Sequence, residues 1–222
     1  VSDLTVRIGA DTVGFNNGLN KAHSSLSKFS TGISKLAGPL AAAFSVKAII
    51  NFAGQSIKAY DEQVQAERGL RNALQGRGDV LARLKNQASE LKKYTTLDDD
   101  VIIGEQKYLG SLKLNEEQIK KVIEASVQLS AATGIDLHTS VQNLAKTYGG
   151  MTGRLSQTIP AIAELTKEQL KSGEAVDYVI KNFKGYAETA AKVGLGPVKQ
   201  LTVSFGDLKE AIGGRLPFNR TI

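Results

Sequence analysis

The chain has 222 residues, a formal net charge of +6, 41% hydrophobic residues and no cysteine. This length is enough for one large or two small domains with a buried core, and the lack of cysteine excludes disulfides, thiolate metal sites and cysteine nucleophiles. Because basic residues are interleaved with acidic ones, no basic run is long enough to follow a phosphate backbone, and nucleic acid is expected to be an incidental partner only.

The first predicted element is a short strand. Leu4, Val6 and Ile8 alternate with polar residues and are followed by Gly9, which is the period-two pattern of a strand with two faces. Since no second strand pattern follows nearby, this strand would pair with another chain or lie as an arm. We assign residues 1–13 to it.

A helical segment with a seven-residue repeat follows. Its apolar positions are spaced alternately by four and three residues, so they share one face of a helix. Such a narrow face predicts a coiled-coil-like oligomerisation seam, and the alternative is an amphipathic surface helix on a globular domain. The seam positions are Phe15, Leu19, Ala22, Leu26, Phe29, Ile33, Leu36 and Leu40.

An alanine-rich stretch, residues 36–57, overlaps the seam and continues it, and we assign 14–60 to this helical segment as a whole. Lys47 is the only charged residue of the stretch, and its length would suffice to cross a membrane. Pro39 and Asn51 would be costly in hydrocarbon, while small residues suit close helix packing. The composition therefore favours packing within protein over membrane insertion.

Residues 61–193 have the pattern of a helical bundle. Apolar stripes with helical spacing alternate with short turns that contain glycine, which predicts an all-α bundle. Capping side chains predict helix starts at Asp79, at Thr96 with Asp99, at Asn115 with Gln118, at Asp136, and at Thr166 with Gln169. Glycines predict helix ends at 76–78, 133–134 and 149–150.

Candidate catalytic or metal-binding residues are sparse. The adjacent Asp98, Asp99 and Asp100 are interpreted as first-turn acids favoured by the helix dipole, because neighbouring residues on a helix point to different faces and cannot converge on a metal. His23 and His138 have no second imidazole or carboxylate at ligand spacing, and both are interpreted as surface residues. We predict no catalytic residue, no metal site and no cofactor.

The last segment, 194–222, begins with a predicted hinge at Gly194-Leu195-Gly196-Pro197. One amphipathic helix follows and closes at Gly213-Gly214. Its apolar face carries Val198, Leu201, Thr202, Phe205, Leu208 and Ile212. The predicted fold is thus all-α and elongated: a coiled-coil-like helix and a multi-helix bundle, preceded by one short strand.

Three stretches together resemble the N-terminal region of tail tape measure proteins from long-tailed bacteriophages and prophages. They read LTVRIGADTVGFNNGLNKAHSSLSKF, ASVQLSAATGIDLHTSVQNLAKTYGG and QLTVSFGDLKEAIGGRLP, and the resemblance covers nearly the whole chain. The family-motif positions are Ala132, Gly134, Gly206, Asp207, Leu208 and Gly213. Family members usually continue far beyond Pro217 with long helices, so either an N-terminal fragment or a truncated prophage relic is expected.

The resemblance implies a structural, non-enzymatic protein of the virion tail that is assembled in the host cytoplasm. Several copies would occupy the lumen of the tail tube, set its length and leave ahead of the DNA at infection. The implied partners are further copies of the chain, the tail tube protein, tail assembly chaperones and distal tail or baseplate proteins, with contact to the host membrane at infection.

A helix rises about 1.5 Å per residue, so one unbroken helix of this length would reach on the order of 330 Å. The glycine breaks instead predict a folded end or initiator region. Two other classes stay open at this point: a membrane-active pore-former or effector that uses residues 36–57, and a cell-wall hydrolase.

Overall fold

The computed structural model describes residues 46–75 and 77–215. Within these ranges it has eleven helices and no strand, which confirms the all-α class. The predicted strand at 1–13 and the seam from Phe15 to Leu40 lie outside the described residues and stay predictions. The helices are α1 (Val46–Ala73), α2 (Gly78–Tyr94), α3 (Asp99–Ser111), α4 (Glu116–Thr133), α5 (Leu137–Thr147), α6 (Leu155–Thr158), α7 (Pro160–Ala163), α8 (Lys167–Ser172), α9 (Glu174–Asn182), α10 (Tyr186–Lys192) and α11 (Gly196–Gly213).

The chain divides into two compact units. Asp61–Gly206 form one, which we call the bundle unit, and Val1–Tyr60 with Asp207–Ile222 form the other, the terminal unit. The described part of the terminal unit comprises residues 46–60 and 207–215. Helices α1 and α11 therefore each contribute residues to both units.

Helix α4 is the centre of the bundle unit. It packs against α3, α5, α9 and α10, and every residue from Ala125 to Leu129 is buried. A helix buries consecutive residues only where neighbours cover more than one side of it. The core around α4 is aliphatic, and its largest fully buried side chains include Leu84, Ile102, Leu109, Ile119, Ile123 and Leu144.

Three predicted helix starts are confirmed with their hydrogen bonds. The Asn115 side chain accepts from the backbone N–H of Gln118 at 2.9 Å, and Gln118 returns a bond to the Asn115 N–H, a complete capping box. The same box joins Thr166 and Gln169 at the start of α8. The Asp136 side chain accepts from the backbone N–H of Thr139, in the first turn of α5, at 2.8 Å. These local pairs satisfy backbone donors that the first helical turn leaves open.

Two predicted starts are wrong by one or two residues. Helix α2 begins at Gly78, so Asp79 lies inside its first turn, where its carboxylate is bound 2.8 Å away by the Arg83 guanidinium. Helix α3 begins at Asp99 after Asp98, without a side-chain cap, so Thr96 lies outside the helix. The N-cap positions are occupied by Arg77 and Asp98 instead, and neither side chain caps its helix.

The structure describes residues 46–57 of the alanine-rich stretch, and they form the beginning of α1. Among the helices described, none combines the length and the apolar character that a membrane crossing requires.

Candidate interaction surface

The last helix places large apolar side chains on the outside of the bundle unit. Leu201 is 70% exposed, Val198 58% and Phe205 48%, and Leu195 in the preceding turn is 72% exposed. Positions 198, 201 and 205 are three and four residues apart, so they lie on one side of the helix. We call these four residues the outer face of α11. Large side chains rarely stay this exposed together unless they form a contact.

The opposite side of α11 packs inward with small and polar residues. The Gln200 side chain donates to the backbone oxygen of Thr95 at 3.2 Å. A Cβ added at Gly196 would lie 2.1 Å from the carbonyl oxygen of Ala190, so only glycine allows this approach. An amphipathic helix ordinarily buries its apolar side, and α11 does the reverse within the bundle unit.

The two residues that flank Leu201 and Phe205 on either side of the outer face carry no charge. Thr202 and Ser204 flank it, both are exposed, and their hydroxyls donate to backbone oxygens one turn earlier, each at 3.0 Å. Lys199 is the only charged residue from 196 to 206, and it lies about 200° around the helix from Leu201. The outer face is therefore an uncharged apolar ridge.

The terminal unit contains the final turns of α11. There Leu208 is 49% exposed, whereas Glu210 is 9% exposed, and Asp207 is half-buried. A Cβ added at Gly213 would lie 2.1 Å from the backbone oxygen of Ser56 in α1. Gly213 thus marks a close approach of two helices inside this unit.

The remaining family-motif positions lie in the bundle unit. Ala132 is half-buried near the end of α4. Gly134 ends that helix in the left-handed conformation, with φ +75°, and its N–H donates to the Ser130 oxygen at 2.9 Å. A Cβ on Gly206 would lie 3.4 Å from Asp98 Oδ2. These positions are explained by a helix end and by packing, and they do not converge on one site.

Of the acidic triplet, Asp99 and Asp100 lie in the first turn of α3, as predicted, whereas Asp98 is the residue before the helix. Lys92 Nζ lies 2.9 Å from Asp98 Oδ1 and 2.6 Å from Asp99 Oδ1. Burial, with the charges of Asp99 and Asp98, raises the pKa of Asp100 to about 6. Its Oδ1 is enclosed without a hydrogen-bond partner among the described residues. Lys92 thus offsets the charges of Asp98 and Asp99, whereas the charged form of Asp100 is destabilised by its burial.

His138 is a surface residue, as predicted, and a carboxylate that is distant in the sequence lies beside it. Its Nδ1 lies 3.0 Å from Glu105 Oε2 on α3, and the Gln142 amide lies 2.9 Å from Nε2. Glu105 precedes His138 by 33 residues, so only the packing of α3 near α5 brings the pair together. The histidine side chain is 53% exposed, and an exposed polar contact of this kind contributes little to stability.

A cleft of about 260 Å³ opens beside the first turn of α11 in the bundle unit. Its lining consists mostly of small and hydroxyl side chains, including Thr95, Ser130 and Ala187, and Lys199 contributes the only charge among the described residues around it. A single ammonium group with hydroxyls supplies neither a general acid–base pair nor a set of metal ligands.

No known protein family matches the chain, and no curated protein or solved structure matches it either. Among the surfaces described in the bundle unit, the outer face of α11 is the one on which large apolar side chains are most exposed.

Proposed function

We propose that this chain is a structural assembly protein, the N-terminal part of a phage or prophage tail tape measure protein, which sets the length of the tail tube and leaves the virion before the DNA. The observation that carries the proposal is the outer face of α11. An uncharged ridge of large apolar side chains on a helix suits contact with another helix better than contact with water.

The all-α architecture supports the same proposal. In the bundle unit the described helices pack around α4, as expected of a folded end region rather than an extended rod. In this proposal several copies lie in the virion tail and contact the tail tube protein, the assembly chaperones and the distal tail or baseplate proteins. The chain acts through these contacts and turns over no substrate.

Self-association of the purified chain is the first test. Sedimentation velocity over a concentration series should show oligomers that dissociate on dilution. Leu26→Asp and Ile33→Asp should weaken the association, because a charge in the predicted seam cannot be buried without a large penalty. Leu112→Asp is the matched control, since Leu112 is 47% exposed and belongs neither to the predicted seam nor to the outer face. A monomer at every concentration would contradict the proposal.

The second test is made in the genome that encodes the chain. Deleting the coding sequence should yield particles without tails, or with tails of irregular length, and supplying the gene in trans should restore them. Electron microscopy measures both outcomes. Normal tails of uniform length in the deletion strain would refute a role in tail assembly, whatever the chain does in solution.

A further inference from the structure

We infer that the cleft beside the first turn of α11 is a binding site for a short aliphatic monocarboxylate, whose carboxylate is bound by Lys199. The cleft lies between α4, α10, α11 and the turn that follows α2, and all of the described residues that line it belong to the bundle unit. The proposed assembly function does not use this cleft. The inference therefore goes beyond that function and does not depend on it.

Lys199 gives the cleft one positive charge that no neighbouring acid offsets. The side chain is exposed, and among the described residues no carboxylate oxygen lies within 4.0 Å of its ammonium group. The two acids that are adjacent in sequence to lining residues have partners of their own. Asp98 Oδ1 lies 2.9 Å from Lys92 Nζ, and Glu188 accepts from the Gln128 amide at 3.1 Å. The cleft is thus suited to one negative charge.

Two hydroxyl groups of the cleft are available to a ligand. Serine and threonine hydroxyls elsewhere in the bundle unit often donate to a backbone oxygen of the preceding turn, as those of Thr133 and Thr147 do. The hydroxyls of Thr96 and Ser130 make no hydrogen bond to another residue in the part of the chain that the structure describes, although both residues are half-buried. A hydroxyl that donates to a carboxylate forms a charge-assisted bond, which is stronger than a neutral one.

The helix ends around the cleft favour a monoanion over a dianion. Thr95 follows the last residue of α2, and Ser130 lies in the last turn of α4. Because the C-terminal end of a helix carries partial negative charge, one ammonium group beside two such ends cannot balance a phosphate dianion. The apolar part of the lining is provided mainly by Ala131, Ala187 and Ala190, so the rest of the ligand is aliphatic.

The volume of the cleft limits the length of the aliphatic chain. The cleft measures about 260 Å³, whereas a cavity of about 150 Å³ holds benzene and pockets for drug-sized ligands measure about 300–1,000 Å³. A ligand of about six to eight heavy atoms, from butyrate to hexanoate, fits between these limits. Because so few atoms make contact, we expect a dissociation constant of about 1–10 mM.

Sodium butyrate is the probe for the test, and binding to the full chain is measured by saturation-transfer NMR. This method detects weak binding to an oligomer as well as to a monomer. Butyramide is the control ligand, since it has nearly the same shape without the negative charge. Butyrate should bind about tenfold more tightly than butyramide, because only the carboxylate forms a charge-assisted bond with the ammonium group.

Two substitutions assign the binding to the cleft. Lys199→Met should raise the dissociation constant for butyrate about tenfold, and Ser130→Ala should raise it about threefold. Lys192→Met is the matched control, because Lys192 is exposed on α10 and is absent from the lining, while its replacement changes the net charge equally. Since Lys199 is exposed and the Ser130 hydroxyl has no partner among the described residues, we expect both variants to fold, and circular dichroism checks this.

The outcomes separate the inference from the proposed function. Absence of saturation transfer at about 50 mM butyrate, well above the expected dissociation constant, overturns the inference. Equal affinity for butyramide overturns it too, as does an unchanged affinity in Lys199→Met or Ser130→Ala. Oligomers that form without any butyrate binding leave the assembly proposal intact. A chain that binds butyrate as expected but is monomeric at every concentration overturns the assembly proposal and supports the inference.

Discussion

Replacing Gly213 by alanine should loosen the terminal unit. A Cβ at this position would lie 2.1 Å from the Ser56 oxygen, 2.7 Å from its carbonyl carbon and 2.9 Å from Tyr60 Cβ. The first two are backbone atoms, which cannot swing aside like the end of a side chain, so one of the two helices must move. Ser56 is fully buried, and the movement would open its surroundings.

The expected net loss is about 1–2 kcal/mol. Overpacking of a closely packed contact costs typically about 1–3 kcal/mol. Alanine returns at most about 1 kcal/mol of helix propensity, and less at the last residue of a helix. Gly54→Ala is the matched control in the same unit, because Gly54 is exposed in α1 and a Cβ there meets no atom within 4 Å. That substitution should stabilise α1 by up to about 1 kcal/mol.

Hydrogen exchange followed by mass spectrometry measures both changes in the full chain. If local opening controls exchange, a loss of about 1–2 kcal/mol speeds the exchange of α1 amides from 52 to 60 by about five- to thirtyfold. Gly54→Ala should slow the same amides or leave them unchanged. Equal exchange in Gly213→Ala and the parent protein would refute the close approach of the two helices.

Three further predictions concern the bundle unit. Asp100→Asn should stabilise it by about 1–2 kcal/mol near pH 7. Burial raises the pKa of Asp100 to about 6, so the parent protein regains stability as this carboxylate takes up a proton below that pH. The difference in free energy of unfolding between Asp100→Asn and the parent should therefore vanish below about pH 4. A difference that does not depend on pH would contradict this prediction. Gln128→Met should lower the free energy of unfolding, measured in urea, by about 1–3 kcal/mol. The substitution removes the side-chain amide that accepts from the Ala187 N–H and donates to the Glu188 carboxylate. An unchanged urea midpoint would contradict this prediction. Asn115→Ala should cost about 1 kcal/mol of thermal stability and Asn115→Ser much less; equal losses would show that the cap is not the cause.

Local signals account for what could be predicted. The capping boxes at Asn115 and Thr166 and the helix end at Gly134 depend on residues within one turn of each other, so their hydrogen bonds follow from neighbouring sequence. The start of α3 was misplaced because several residues that can cap follow one another, and Thr96 competes with Asp98 for one position. The position of such a helix start depends on small differences in free energy between neighbouring residues that can each occupy the N-cap.

Long-range pairs could not be predicted in the same way. His138 and Glu105 lie 33 residues apart, and nothing in their spacing indicates that α3 and α5 bring them together. The raised pKa of Asp100 likewise depends on burial, which the triplet itself does not reveal. For the outer face, one signal was present: Gly196 and Gly206 lie off the apolar stripe of α11, which is where a helix needs glycine if its other side packs closely.

The sequence by itself determined that the described chain is helical, where most turns fall, and that its last helix has one apolar side, because these properties follow from periodicity and from short-range hydrogen bonds. Only the tertiary structure decided which way that helix faces. Close backbone contact at Gly196 and the bond from Gln200 to Thr95 hold its small and polar side inward. Leu195, Val198 and Leu201 are left exposed as a consequence.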